Sequence, residues 1–217
     1  MVTAVPLHAQ GTNTPAVEAK DAAYARTLNE RAGKIVAALG LTDVAKSNRV
    51  HSIIVQQYRD LGDIHFVRDV QIGNAKAKAG ADRTAADTAI QAARNDAKPR
   101  LDELHGEFLS RLEAELSPEQ VDQVKDGMTY GVLPLTYAVY LKMFPDLTDE
   151  QKTQIKAWLT EARELAMDGS TSDEKHAVFG KYKGRINNYL VKAGYDLKQG
   201  EQNLKKAGSK PSNPQPK

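Results

Sequence analysis

The sequence predicts an all-α protein, a helical bundle of three long antiparallel helices followed by several shorter C-terminal helices. Three observations predict it. Apolar residues recur every three or four positions through most of the 217 residues. Helix-start signatures stand ahead of several of those runs, at Thr14-Pro15, Ser117-Pro118 with Gln120, Thr148 with Gln151, and Thr171 with Glu174. Almost no segment alternates with the period of a strand.

Taken in order, Thr14 caps and Pro15 opens a first helix that Gly40 stops, with Val17, Tyr24, Leu28, Ile35 and Leu39 inward. Thr42 starts a second, burying Val44, Val50, Ile54, Tyr58 and Leu61 and running past Phe66 to about Ile72. A polar stretch at 74–82 connects it to a third, begun at Thr84 and Asp87, which uses Ile90, Ala97, Leu101, Leu104, Phe108 and Leu112 and meets Pro99 on the way. Leu116 staples onto Val121 as the next helix opens from Ser117. Residues 132–144 are apolar all round between Pro134 and Pro145, which predicts a buried helix. Ile155, Trp158, Leu159, Ala162 and Leu165 line one face of the helix after Thr148, where Asp149 and Glu150 suit the positive helix end. The last helix starts at Thr171 and carries Val178, Tyr182, Ile186, Tyr189 or Leu190, and Ala193 inward. The expected organisation is therefore a leader at 1–13, one helical domain at 14–196 and a disordered lysine- and proline-rich tail at 197–217.

Charge is distributed unevenly. The formal net charge is +2, but five lysines against Asp196 and Glu201 make residues 196–217 basic and leave the body near neutral. A near-neutral body argues against a dedicated nucleic-acid binder. With no cysteine, the chain has neither disulfides nor thiolate metal sites. His8, His51, His65, His105 and His176 are scattered without HxxxH or HExxH spacing, so no metal is expected. No P-loop, GxGxxG turn or GxSxG elbow occurs, and no cofactor is expected. Residues 2–10, VTAVPLHAQ, resemble the end of a secretory signal peptide, and no segment is apolar for long enough to cross a bilayer, so the expected setting is secreted or periplasmic.

The candidate site lies in the last helix. Gly180 and Gly184, one turn apart, remove all side-chain bulk at a cost of roughly 1 kcal/mol each, which predicts close approach by a helix backbone or a ligand. His176, Lys181, Lys183, Arg185, Asn187 and Asn188 surround them. Tyr130, Tyr137 and Tyr140 could supply an aromatic platform for a sugar, or could be ordinary core tyrosines. In the second helix His65 and Asp69, like Arg59 and Asp63, stand at i,i+4, a spacing that serves either a general base or a routine surface pair. Arg163 and Glu164 join a site only if their helix faces Tyr182.

Two segments, TYGVLPLTYAVYLKMFPDLTDEQK at 129–152 and EKHAVFGKYKGRINNYLVKAGYD at 174–196, resemble an uncharacterised family of secreted bacterial proteins regarded as sugar-binding and associated with polysaccharide degradation. The resemblance implies export and a carbohydrate partner, and it carries no catalytic residue. Leu147-Thr148 with Gln151, and nearly Leu116-Ser117 with Gln120, also resemble the periplasmic LTxxQ helical proteins, although the motif doubles as capping chemistry. Three functions follow as expectations. The first is a carbohydrate-binding or -processing accessory protein, favouring acidic polysaccharide because Lys181, Lys183 and Arg185 lie together. The second is a chaperone-like interaction protein. The third is a metal-independent polysaccharide lyase drawing on His65, Tyr137, His176 and Arg185, which requires those four side chains to converge.

Overall fold

A computed structural model of the chain describes residues 15–80 and 82–208, the first four by backbone alone. The leader expected at 1–13 and the end of the tail, 209–217, lie outside the described residues. Eight helices and no strand occur among the described residues: α1 (Pro15–Ala38), α2 (Val44–Ala79), α3 (Arg83–Glu113), α4 (Pro118–Met128), α5 (Val132–Met143), α6 (Asp149–Met167), α7 (Ser172–Lys192) and α8 (Leu197–Gly208).

The first three form the expected antiparallel bundle. Tyr24 of α1 meets Gly62 of α2, while Asn29 meets His51, so the two helices run in opposite directions. Arg49, near the start of α2, pairs with Glu115, just past the end of α3. Leu28, Ile35, Leu39, Val50, Ile54, Leu61, Leu104, Phe108 and Leu112 are buried between these helices, as their spacing predicts. Tyr24, Val44 and Phe66, also on the predicted apolar runs, are largely exposed. The polar stretch at 74–82 is mostly helix: α2 continues to Ala79, because alanine and lysine are good helix formers, and it ends at Gly80, whose positive φ (54°) glycine tolerates. The N-caps of α2 and α3 are Asp43 and Asp82, each accepting from backbone N–H groups of its first turn, instead of Thr42 and Thr84.

A second apolar core joins α5, α6, α7 and α8 around Leu133, Phe144, Ile155, Leu159, Phe179, Ile186 and Leu190. The capping boxes at Ser117 and Thr148 form in full. At Thr171 only the forward half forms, since Glu174 turns to Ser170 N–H and to Arg68. Two predictions are corrected here. Helix α5 is not buried all round: Leu133 and Tyr140 are, while Leu135 and Val139 face out. Residues from 197 onward are not uniformly tail, because Leu197–Gly208 folds as α8 against α5. Its inward position is a glycine, Gly200, pressed so closely on Phe144 that an added Cβ would lie 2.6 Å from the ring. Asn203 donates to the Met143 carbonyl, which α5 leaves without a helical partner. Leu197, Gly200 and Leu204 share one face of α8 at helical spacing, but the glycine at its centre adds no apolar side chain, so that face shows only two leucines in the sequence.

Candidate functional site

The residues expected to form one site are divided among five places. His65 is buried in α2, 2.6 Å through Nε2 from the Asp168 carbonyl, and its Nδ1 has no partner. Burial lowers its pKa, and Asp69, the expected orienting carboxylate, pairs with Arg68 instead. Tyr140 is a core residue whose hydroxyl donates to Asn187 Oδ1 at 2.8 Å, pinning α5 to α7; burial pushes its phenol up to about 12. Tyr137, half-buried against the same core, borders a hollow shared with Lys156, Thr160 and Glu164. Arg185 lies over the Trp158 ring at 4.6 Å and 3.7 Å from Glu161, in an open groove with Lys181, Gly184 and Asn188. Lys183 is exposed and lends its carbonyl to Tyr140.

The close approach expected of a helix at Gly180 and Gly184 does not occur. Nothing lies within 4 Å of a Cβ built at either position, because the inward face of α7 is set by Lys175, Phe179, Ile186 and Leu190, a quarter-turn or more away. Arg163 is likewise engaged elsewhere. It is buried, and pairs with Asp122 at 2.6 Å, Asp126 at 3.0 Å and Glu164 at 3.2 Å. Glu164 also meets Lys125 and His105, and His105 Nδ1 lies 3.0 Å from Asp168. This network ties α3, α4 and α6 together. The bonds to Asp168 and Glu164 raise the His105 pKa to about 9; burial opposes ionisation of Glu164, but His105 and Lys125 hold it down to about 2.

One cavity stands apart from these. It encloses about 460 Å³ where α1, α2, the α4–α5 turn and the start of α7 meet, a volume within the range of small-ligand sites. Tyr24, Tyr58 and Tyr130 wall it, Arg31, Lys34 and Lys175 supply charge, and no carboxylate lines it. Each wall has a local cause. Tyr24, Leu28, Arg31 and Ile35 share one face of α1 by their three- and four-residue spacing. Gly62 leaves room for the Tyr24 hydroxyl, which a Cβ there would meet at 2.7 Å. Tyr130 sits at φ 59°, a left-handed conformation that is costly for a bulky residue. That backbone aims its ring at the cavity and stacks it on His176, centroids 5.7 Å apart at 17°.

Apart from Lys175, the charged and phenolic groups of this cavity are not spent on the fold. Among the described residues the hydroxyls of Tyr24, Tyr58 and Tyr130 have no hydrogen-bond partner, and neither Arg31 nor Lys34 has an ion pair. Burial pushes the Tyr58 phenol up to about 12, so it remains a donor. Lys175 is buried, with Nζ donating to the carbonyls of Met128 (3.0 Å) and Met167 (3.3 Å). Burial brings its pKa down to about 8, against the pull of Asp168 and with help from Arg31. Unpaired cations, free phenols and aromatic faces make a receptacle for an anionic, hydroxyl-bearing molecule.

Of the residues expected from the sequence, Tyr130 lines this cavity and the exposed His176 only stacks on its ring; Tyr24, Arg31, Lys34, Tyr58 and Lys175 were missed. The readable signal was Lys175, a lysine in line with Phe179 and Ile186 on a buried stripe. Among the described residues no three histidine, aspartate or glutamate side chains gather as a metal site, and no helix is long and apolar enough to cross a membrane. Residues 25–208 match a family model described as a protein of unknown function, DUF3826. No curated protein matches the chain.

Proposed function

The chain belongs to the DUF3826 family of unknown function, and we propose that it binds acidic carbohydrate in the cavity between α1, α2 and α7. The observation that carries this reading is the lining of that cavity: three tyrosines with free hydroxyls beside Arg31, Lys34 and Lys175, and no carboxylate. Tyrosine faces suit the C–H surface of a sugar ring and phenols suit its hydroxyls. The cations select a ligand carrying carboxylate, because burying them unpaired against a neutral sugar would forfeit their hydration. The proposed setting is secreted or periplasmic, and it rests on the leader-like residues 2–10.

Calorimetry with oligogalacturonides and with neutral xylo- and cello-oligosaccharides tests the reading. Acidic oligomers should bind and neutral ones should bind far more weakly. Arg31→Ala should cost the acidic ligands about tenfold to a hundredfold in affinity, the worth of a charge-assisted bond, and the loss should shrink at high salt. Its melting temperature should not move, since Arg31 holds no ion pair among the described residues. Equal affinity for neutral and acidic oligomers, or no heat with either, rejects the reading. A second reading, an interaction protein, is favoured by the exposed Leu135 and Val139 on α5 and gains if no glycan binds.

A further inference from the structure

Lys175 is placed as a reactive amine is placed, more than as a simple anchor for charge. Its side chain is 4% exposed and lines the cavity wall. Two of the four tetrahedral directions at Nζ are taken by N–H donated to Met128 and Met167 carbonyls, and one by the bond to Cε. The remaining direction has no protein partner, although the Tyr58 ring lies 6.0 Å away. In the neutral amine that direction holds the lone pair. The groups that act on its charge are Arg31 from α1, which disfavours the cation, and Asp168 at the end of α6, which favours it. A desolvated lysine beside a second cation is the arrangement that activates an amine toward carbonyl carbon.

We propose that Lys175 condenses with the carbonyl group of an acidic ligand held in this cavity, either the open-chain aldehyde of a uronic acid or the ketone of a 2-oxo acid. The nitrogen lone pair forms the new bond to carbon, and the carbonyl oxygen leaves as water, carrying one of the two amine protons and one proton taken from solvent. One N–H stays on the resulting protonated imine, enough to keep one of the two backbone acceptors. Neither oxidant nor reductant is consumed. The carboxylate falls to Arg31 and Lys34, so this inference rests on the anion-binding reading for its ligand class, while the amine's reactivity can be tested independently. Burial, by bringing Lys175 to about 8, leaves a larger share of free amine near neutral pH than any solvated lysine has.

The experiment is reductive trapping. The full chain is incubated with galacturonate or pyruvate and cyanoborohydride, and labelled lysines are located by peptide mass mapping. Lys175 should label at least about tenfold faster than the exposed lysines, the gain expected from its larger free-amine fraction. Its labelling should climb as pH rises toward 8 and should fall in Arg31→Ala. Lys175→Arg should abolish that label, and calorimetry on the wild-type chain records binding of acidic oligomers separately. Uniform labelling, or an unlabelled Lys175 in a protein that binds acidic oligomers, overturns the proposal and leaves the binding function standing. Selective labelling without oligomer binding upholds the amine and rejects the carbohydrate reading.

Discussion

His105 shows how much one side chain can set. Its pKa is raised from 6.5 to about 9 by bonds to Asp168 and Glu164, so its contribution to stability is complete below pH 6.5 and is lost as pH rises toward 9. Glu164, lowered from 4.5 to about 2, contributes above pH 4.5 and loses that contribution as pH falls toward 2. The pair therefore stabilises most between about pH 4.5 and 6.5. Urea melts of wild type and His105→Gln should differ by about 2 kcal/mol at pH 6 and converge by pH 9; a constant difference across that range would contradict the assignment. Lys175 has the opposite sign: its lowered pKa adds stability as pH climbs from about 8 to 10.5. Glycines separate as sharply. Gly180→Ala and Gly184→Ala meet open space and should each stabilise by up to about 1 kcal/mol. Gly200→Ala drives a methyl into Phe144 and should destabilise by about 1–3 kcal/mol, read by thermal melting. The residue type is the same in all three, and nothing in the local sequence assigns the sign.

At the scale of elements, the boundaries obeyed local chemistry wherever a side chain could reach a backbone N–H. Ser117 and Thr148 cap as their spacing predicts, and Gly169 follows the end of α6. At the start of α2 the cap is Asp43 and not its neighbour Thr42, because the carboxylate accepts from both Ala45 and Lys46 N–H. Which face of a helix turns inward was less legible. In α7 the predicted stripe is buried at Ile186 and Leu190, only half-buried at Val178, Tyr182 and Tyr189 and exposed at Ala193, and Phe179 takes the centre. The reason is α6, whose row of Ile155, Leu159, Ala162 and Ala166 fixes the rotation of its neighbour. Helix α6 is itself held by Arg163, buried against carboxylates from α4. Arg163→Met should cost about 2 kcal/mol or more, because Asp126 and Glu164 lose a partner while only partly solvated. A Met variant as stable as wild type would mean the network settles orientation without adding stability, as some buried ion pairs do.

The whole molecule is two apolar cores, one from α1 to α4 and one from α5 to α8, and the candidate site opens where they meet. Its walls come from residues as far apart as Tyr24 and Lys175, and no window of sequence contains both. Composition, periodicity and capping chemistry by themselves determined that the chain is helical, that three long helices lead and that no cysteine is present to ligate a metal, because helix formation and capping depend on residues within a few positions of one another. They also singled out Tyr130 and His176, without saying that the two rings would stack. Only the tertiary structure decided that His65, Tyr137 and Arg185 point to separate places, that Tyr140 and Asn187 serve the fold, and that Arg31, Lys34 and Lys175 share a cavity free of carboxylates. Those outcomes follow from the rotation and register of packed helices. Burial energies distributed over both cores set them, and no local signal encodes them.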